Sequence, residues 1–240
     1  MSIVRTVVLL TLLLTLTALT TANAEGENAW RDFYDQAPVI RIVEPMANLV
    51  GSVVDGRNML TIRLTDVALY YGHVCPAFAS GYMITSTALA ALYPDSVPVR
   101  GQIRVAASAP NGIFDLASYI TGARAFYGRH KINGHDLVLD PSLNSENPAE
   151  FVIVFQRKDT GQAVRVAFDK TQLISAEQQK AFASFQKAVL EGTASDQQKQ
   201  ATWAQIQAIV KTVLVDTPEG LFKVAPLEGY VFPEAPAHEH

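Results

Sequence analysis

Cysteine is nearly absent from this chain of 240 residues: Cys75 is the only one, so no disulfide can close within it. The same scarcity removes the Cys-x-x-Cys-His haem attachment motif and the paired Cys-x-x-Cys zinc knuckle. The P-loop and the Gly-x-Gly-x-x-Gly fingerprint are missing as well, which takes the common nucleotide and dinucleotide signatures out of consideration. Nor is there a basic excess. With 19 Lys and Arg against 23 Asp and Glu, the formal charge of −4 offers nothing to follow a nucleic-acid backbone. What is present is apolar material: 49% of residues are hydrophobic and 18% charged, a composition that builds a core and excludes a disordered or disulfide-knotted chain.

Residues 1–24 read as a secretory signal peptide. Arg5 supplies the positive start, Val7 to Leu19 the apolar run, and Ala22-Asn23-Ala24 the small-x-small cleavage pattern, with cleavage expected after Ala24. The apolar run is short for a span of roughly 20 residues, so no stable membrane insertion is expected after cleavage. No cysteine stands at the cleavage site to carry a lipid. Loss of Arg5 takes the expected mature chain to a charge of −5, in a periplasmic or secreted setting. Unpaired thiols are exposed to oxidation there, so a lone Cys75 is either buried and inert or retained for a purpose.

Periodicity predicts one α+β domain over 25–225, a mixed or antiparallel sheet packed against helices with two helices at its C-terminal end. Apolar runs between Val39 and Val54 look like strands or a strand with a turn, and Asn58 to Leu64 alternates around Leu60, Ile62 and Leu64. A loop covers Tyr70 to Pro76, followed by a buried helix from Pro76 to about Leu92. Gln102 to Ala107 predicts a strand, and Phe114 to Thr121 a helix between Asn111-Gly112 and Gly122. Phe151–Gln156 and Ala163–Phe168 flank Lys158-Asp159-Thr160-Gly161 as a hairpin. Ser175 with Gln178 and Ser195 with Gln198 form capping boxes for the two closing helices. From Pro226 to His240 the chain is Pro-rich and is expected to be a flexible tail.

The chemistry concentrates at His73-Val74-Cys75, an imidazole and a thiol two residues apart just ahead of a helix. Such N and S donors suit Zn2+ or another late transition metal. The rival reading makes Cys75 a nucleophile and His73 its base, with Asp115 as the orienting group if the fold brings it there. His130 and His135 lie in a Gly-bounded loop from which either could reach the site or face water. His238 and His240 sit in the tail, where ordering entropy opposes tight binding.

Tyr70-Tyr71-Gly72-His73-Val74-Cys75-Pro76-Ala77 resembles the Phe-His-Gly-His-x-Cys-Pro-Gly block of the FmdE-like family, which takes its name from a formylmethanofuran dehydrogenase operon. Gly112 to Asp115 with Ile120-Thr121-Gly122-Ala123 resembles a second block, the hairpin strands a third, and Pro218 to Val224 the closing segment. The resemblance implies an α+β fold, a homodimer, and a metal, zinc first, at the His-x-Cys-Pro loop. Carried over residue by residue, His73 and Cys75 match site positions and Asp115 the acidic one, with His130 a further ligand candidate. Tyr71 stands where the family has His, Ala77 where it has Gly, and Gly112 and Ala123 where it has Cys. A closed zinc held by four cysteines of one chain is thereby excluded. Three readings stay open: an enzyme with an open metal position and Asp115 as a base, a module that binds or delivers a metal or small molecule, and a scaffold with Cys75 buried.

Overall fold

The hairpin expected around Lys158–Gly161 is the centre of the sheet. β5 (Glu150–Arg157) and β6 (Ala163–Asp169) pair antiparallel with Ile153 opposite Val166. The computed structural model describes residues 29–109, 111–125, 135–147 and 149–233. The chain divides into residues 1–32, mostly outside the described range, and residues 33–240, which hold the elements that follow.

β3 (Ile103–Ala107) adds to β5 antiparallel and β4 (Leu137–Leu139) adds to β3 in parallel. β7 (Phe222–Pro226) closes the other edge against β6, giving the mixed order β4-β3-β5-β6-β7. A separate two-stranded ribbon joins β1 (Ile40–Val43) and β2 (Met59–Ile62). Six helices complete the α+β architecture among the described residues: α1 (Pro45–Leu49), α2 (Leu64–Tyr71), α3 (Pro76–Leu92), α4 (Gly112–Thr121), α5 (Ala176–Leu190) and α6 (Asp196–Lys211).

Of the alternatives for Val39–Val54 the structure has a single strand, β1, because Glu44 accepts from the Met46 N–H and Pro45 takes the first helical position, turning the chain into α1. One expectation is corrected. Tyr70 and Tyr71 belong to the last turn of α2 and not to a loop.

Helix α3 packs on the central strands and carries ten buried residues, Phe78, Tyr82 and Leu89 among them. Its small residues permit close approach to α4. A β-carbon on Gly81 would lie 3.1 Å from the Ile113 Cα, so the backbones meet there. The Tyr82 hydroxyl sits 2.7 Å from the Pro38 carbonyl and 2.9 Å from that of Ile62, tying α3 to the β1–β2 ribbon.

The opposite sheet face is covered by the chain's own C-terminal segment. Phe232 is buried with Ala106, Val154 and Ala163, and Leu227 and Tyr230 pack beside it. The Gln156 amide donates to the Tyr230 carbonyl at 3.0 Å, and the Leu227 N–H to the Ala163 carbonyl at 2.9 Å. Residues 227–233 are thus irregular, as an extended tail would be, yet anchored; residues 234–240 lie outside the described range, as do His238 and His240. With both faces covered, β5 reads as the uninterrupted apolar run Phe151–Phe155.

The expected signal segment, 1–24, also lies outside the described residues. Among those described, no helix is long and apolar enough to cross a membrane.

Candidate functional site

The turn bearing His73 and Cys75 is fixed at both ends. Helix α2 stops at Gly72, whose φ of 85° is left-handed and whose N–H donates to the Ala68 carbonyl at 2.8 Å. Three residues on, Cys75 takes an extended conformation and caps α3, its Sγ accepting from the Phe78 N–H at 3.5 Å. Pro76 follows at the first helical position, where its missing N–H costs nothing.

Between those ends the buried Val74 is held from a distant helix. Its carbonyl accepts from the Gln207 side-chain amide at 3.1 Å, and the Gln207 oxygen accepts from the Tyr34 hydroxyl at 2.8 Å. With Val74 pointing inward, His73 is left exposed and Cys75 half-buried.

Helix α4 begins beside this turn. Asn111 caps it through its side-chain oxygen, which accepts from the Ile113 N–H at 2.7 Å, and Asp115 stands exposed in its first turn. Gly112 has no side chain to fill the space above it, and Tyr71 fills it: a β-carbon on Gly112 would overlap the Tyr71 hydroxyl. The Tyr71 ring is packed 5.0 Å from the His73 ring and 5.3 Å from that of Phe78, tilted by 50° and 55°. Its pKa is raised, first by desolvation and then by the negative charge of Cys75 and of Asp115.

Tyr71 is therefore the group to which His73, Cys75 and Asp115 are related: its ring meets His73, and its phenol lies in the field of Cys75 and Asp115. The three do not themselves form a ligand cluster. Among the described residues no three His, Cys, Asp or Glu side chains converge so as to hold a metal ion. His130 lies outside the described residues, and His135 is exposed at a φ of 73° ahead of β4. A thiol and an imidazole thus stand on one short turn, with the Tyr71 ring packed against the imidazole.

A family model described as "FmdE, Molybdenum formylmethanofuran dehydrogenase operon" matches residues 70–223, nearly two thirds of the chain. The chain belongs to this family. The FmdE match opens at Tyr70, immediately before the His73–Cys75 turn, and closes within β7, so it takes in α3, α4 and most of the five-stranded sheet. No curated protein matches the chain.

Two residues of this FmdE site carry little or no signal in the sequence. Tyr71 is marked there only by standing where the family's block has His, and nothing in the sequence places its hydroxyl over Gly112. Gln207 gives no signal at all, because it stands 133 residues from the Val74 carbonyl that it holds.

Proposed function

We propose that this FmdE-family chain is an exported protein that binds a late transition metal, zinc first among them, at an open surface site. Cys75 is the anchoring donor and His73 the second, and the remaining positions are open to solvent or a ligand. The observation that carries the reading is the turn Gly72–Cys75, fixed by a left-handed glycine at one end and a helix cap at the other. That construction presents the imidazole and keeps the thiol half-exposed, where a thiol serving only as scaffold would be buried. A bound metal would supply Lewis acidity toward a carbonyl or water occupying its free position.

The reading is one of binding or delivery at an exposed turn, and the clefts around Asn111, Thr160, Val97 and Asp35 lie apart from it, with none of Tyr71, His73, Cys75 or Asp115 in their walls. The cleft of about 430 Å³ reaches Asn111, at the cap of α4, but is otherwise built from the β3 end and the segment 144–151 with Phe168 and Lys170. The periplasmic or secreted location belongs to the same reading, as does a homodimer, for which the exposed α5 offers surface: none of its residues is buried.

Metal analysis and thiol chemistry test the proposal together. The protein equilibrated with Zn2+ and then desalted is expected to retain metal and to react slowly with iodoacetamide, becoming reactive once a chelator is added. Cys75→Ser is expected to lose the metal. Absence of retained metal, with equal alkylation in both conditions, overturns the proposal.

A further inference from the structure

We infer that the cleft of about 430 Å³ between the cap of α4 and the end of the sheet remote from the β5–β6 turn is a binding site for a small carboxylate with an apolar body. None of its residues is a proposed metal donor, so the two sites are tested separately.

The floor of the cleft is apolar. Phe151 on β5 and Phe168 on β6 are register partners, so their side chains leave the same face of the sheet, and both line the cleft. The Phe222 ring on β7 packs 5.6 Å from that of Phe168. A volume of about 430 Å³ falls within the span of small-molecule sites, about 300–1,000 Å³.

Above the floor most side-chain acceptors are engaged and several donors are not. Glu150 is the one carboxylate in the wall, and its oxygens accept from the Ser145 hydroxyl at 2.7 Å, the Arg165 guanidinium at 3.3 Å and the Lys223 ammonium at 3.3 Å. The Asn111 oxygen accepts from the Ile113 N–H at 2.7 Å, which leaves its NH2 to donate. Ser108 Oγ accepts from the Val152 N–H at 3.4 Å, which leaves its O–H. Asn147 is engaged at both ends, by the Ala149 N–H at 3.0 Å and by Asp169 at 3.3 Å. Lys170, exposed directly after β6, makes no ion pair among the described residues. Asn144 adds an amide that can serve in either sense.

A wall whose free groups are an ammonium, a hydroxyl and an amide NH2 suits an anion that accepts several hydrogen bonds. Inorganic phosphate would leave the two phenyl rings uncovered, and a neutral sugar would bring hydroxyl donors that the engaged acceptors cannot meet. A carboxylate with an apolar body satisfies both wall and floor.

Nuclear magnetic resonance titration of the full chain with phenylacetate, phenylacetamide and glucose tests the inference. Phenylacetate is expected to shift the Asn111 side-chain NH2 and to bind with a dissociation constant of about 0.1–1 mM, with phenylacetamide about 10-fold weaker and glucose silent. Lys170→Met is expected to weaken phenylacetate about 10-fold by removing the cation. Ala109→Trp, which fills the cleft from its exposed rim, is expected to abolish binding. Lys180→Met makes the same change of charge on the exposed α5 and is expected to bind as the wild type does. Equal affinity for phenylacetate and its amide, a preference for glucose, or absence of saturable binding overturns the inference. So does wild-type affinity in Lys170→Met or in Ala109→Trp, or an equal loss in Lys180→Met. If Ala109→Trp fails to fold by circular dichroism, Lys170→Met and the comparison of ligands decide.

Discussion

The Tyr71 hydroxyl occupies the space that a β-carbon on Gly112 would require. One residue ends α2 and the other begins α4, so this contact sets how the two helices meet beside the His73–Cys75 turn. Gly112→Ala is expected to destabilise the protein by about 1–3 kcal/mol through overpacking. Adding Tyr71→Phe removes the clashing atom and leaves the ring Cζ 3.3 Å from the new β-carbon, so the double variant is expected to regain most of the loss. Urea unfolding of the two single variants and the double measures the coupling; additive losses contradict the contact.

Gln207 holds the turn from α6. Gln207→Ala removes the donor to the Val74 carbonyl and the acceptor for the Tyr34 hydroxyl, at an expected cost of about 1–3 kcal/mol because both groups are buried. The turn should loosen as well as the fold. Faster iodoacetamide labelling of Cys75 under fully native conditions is the expected signature, and an unchanged rate argues that Gly72 and the α3 cap fix the turn unaided.

Phe232 closes the second face of the sheet over Ala106, Val154 and Ala163, with the Arg104 guanidinium 5.3 Å from its ring centroid. Phe232→Ala is expected to cost about 3 kcal/mol, the figure for truncating a buried aromatic. Deletion of residues 227–240 should cost at least as much and should increase binding of a hydrophobic dye, because the same apolar face is uncovered. A deletion variant as stable as the wild type would show that the segment does not seal the sheet.

The Tyr230–Asp140 hydrogen bond, 2.8 Å long, makes stability depend on pH in the acid range. Burial pushes the Asp140 carboxyl upward, but hydrogen bonds from the Ser142 and Tyr230 hydroxyls and the Ser142 N–H outweigh it and hold the carboxyl below its ordinary value. A carboxylate depressed in this way contributes fully above the ordinary aspartate range and loses its contribution as pH falls through the folded value. The melting temperature is expected to fall on acidification, with a shallower fall in Asp140→Asn. Tyr230→Phe, which removes one of the depressing bonds, is expected to lie between them. Identical acid limbs in all three would remove Asp140 from the account.

Short-range chemistry accounts for what was legible in the sequence. Cys75-Pro76 starts α3 and Tyr93-Pro94 ends it, because proline suits a first turn and cannot continue a helix. Ser175 with Gln178 and Ser195 with Gln198 form both expected capping boxes, since each box satisfies backbone donors within four residues. The β5–β6 hairpin follows from its turn and from apolar runs of matched length. Its outer neighbours were not legible in the same way: β4 and β7 are short and owe their strand conformation to partners, β3 and β6, that lie far off in the chain.

The same division runs through the site. The order of residues along the chain is enough to put one thiol two residues after an imidazole at the start of a helix, with no second cysteine to join it. Which groups surround that thiol is a matter of packing. The folded chain seats Tyr71 in the notch of Gly112, sets Asp115 one turn above, and anchors Val74 to Gln207. Those relationships depend on how α2, α3, α4 and α6 meet, and that is settled by the volume and hydrogen bonds available between elements, which no local pattern encodes.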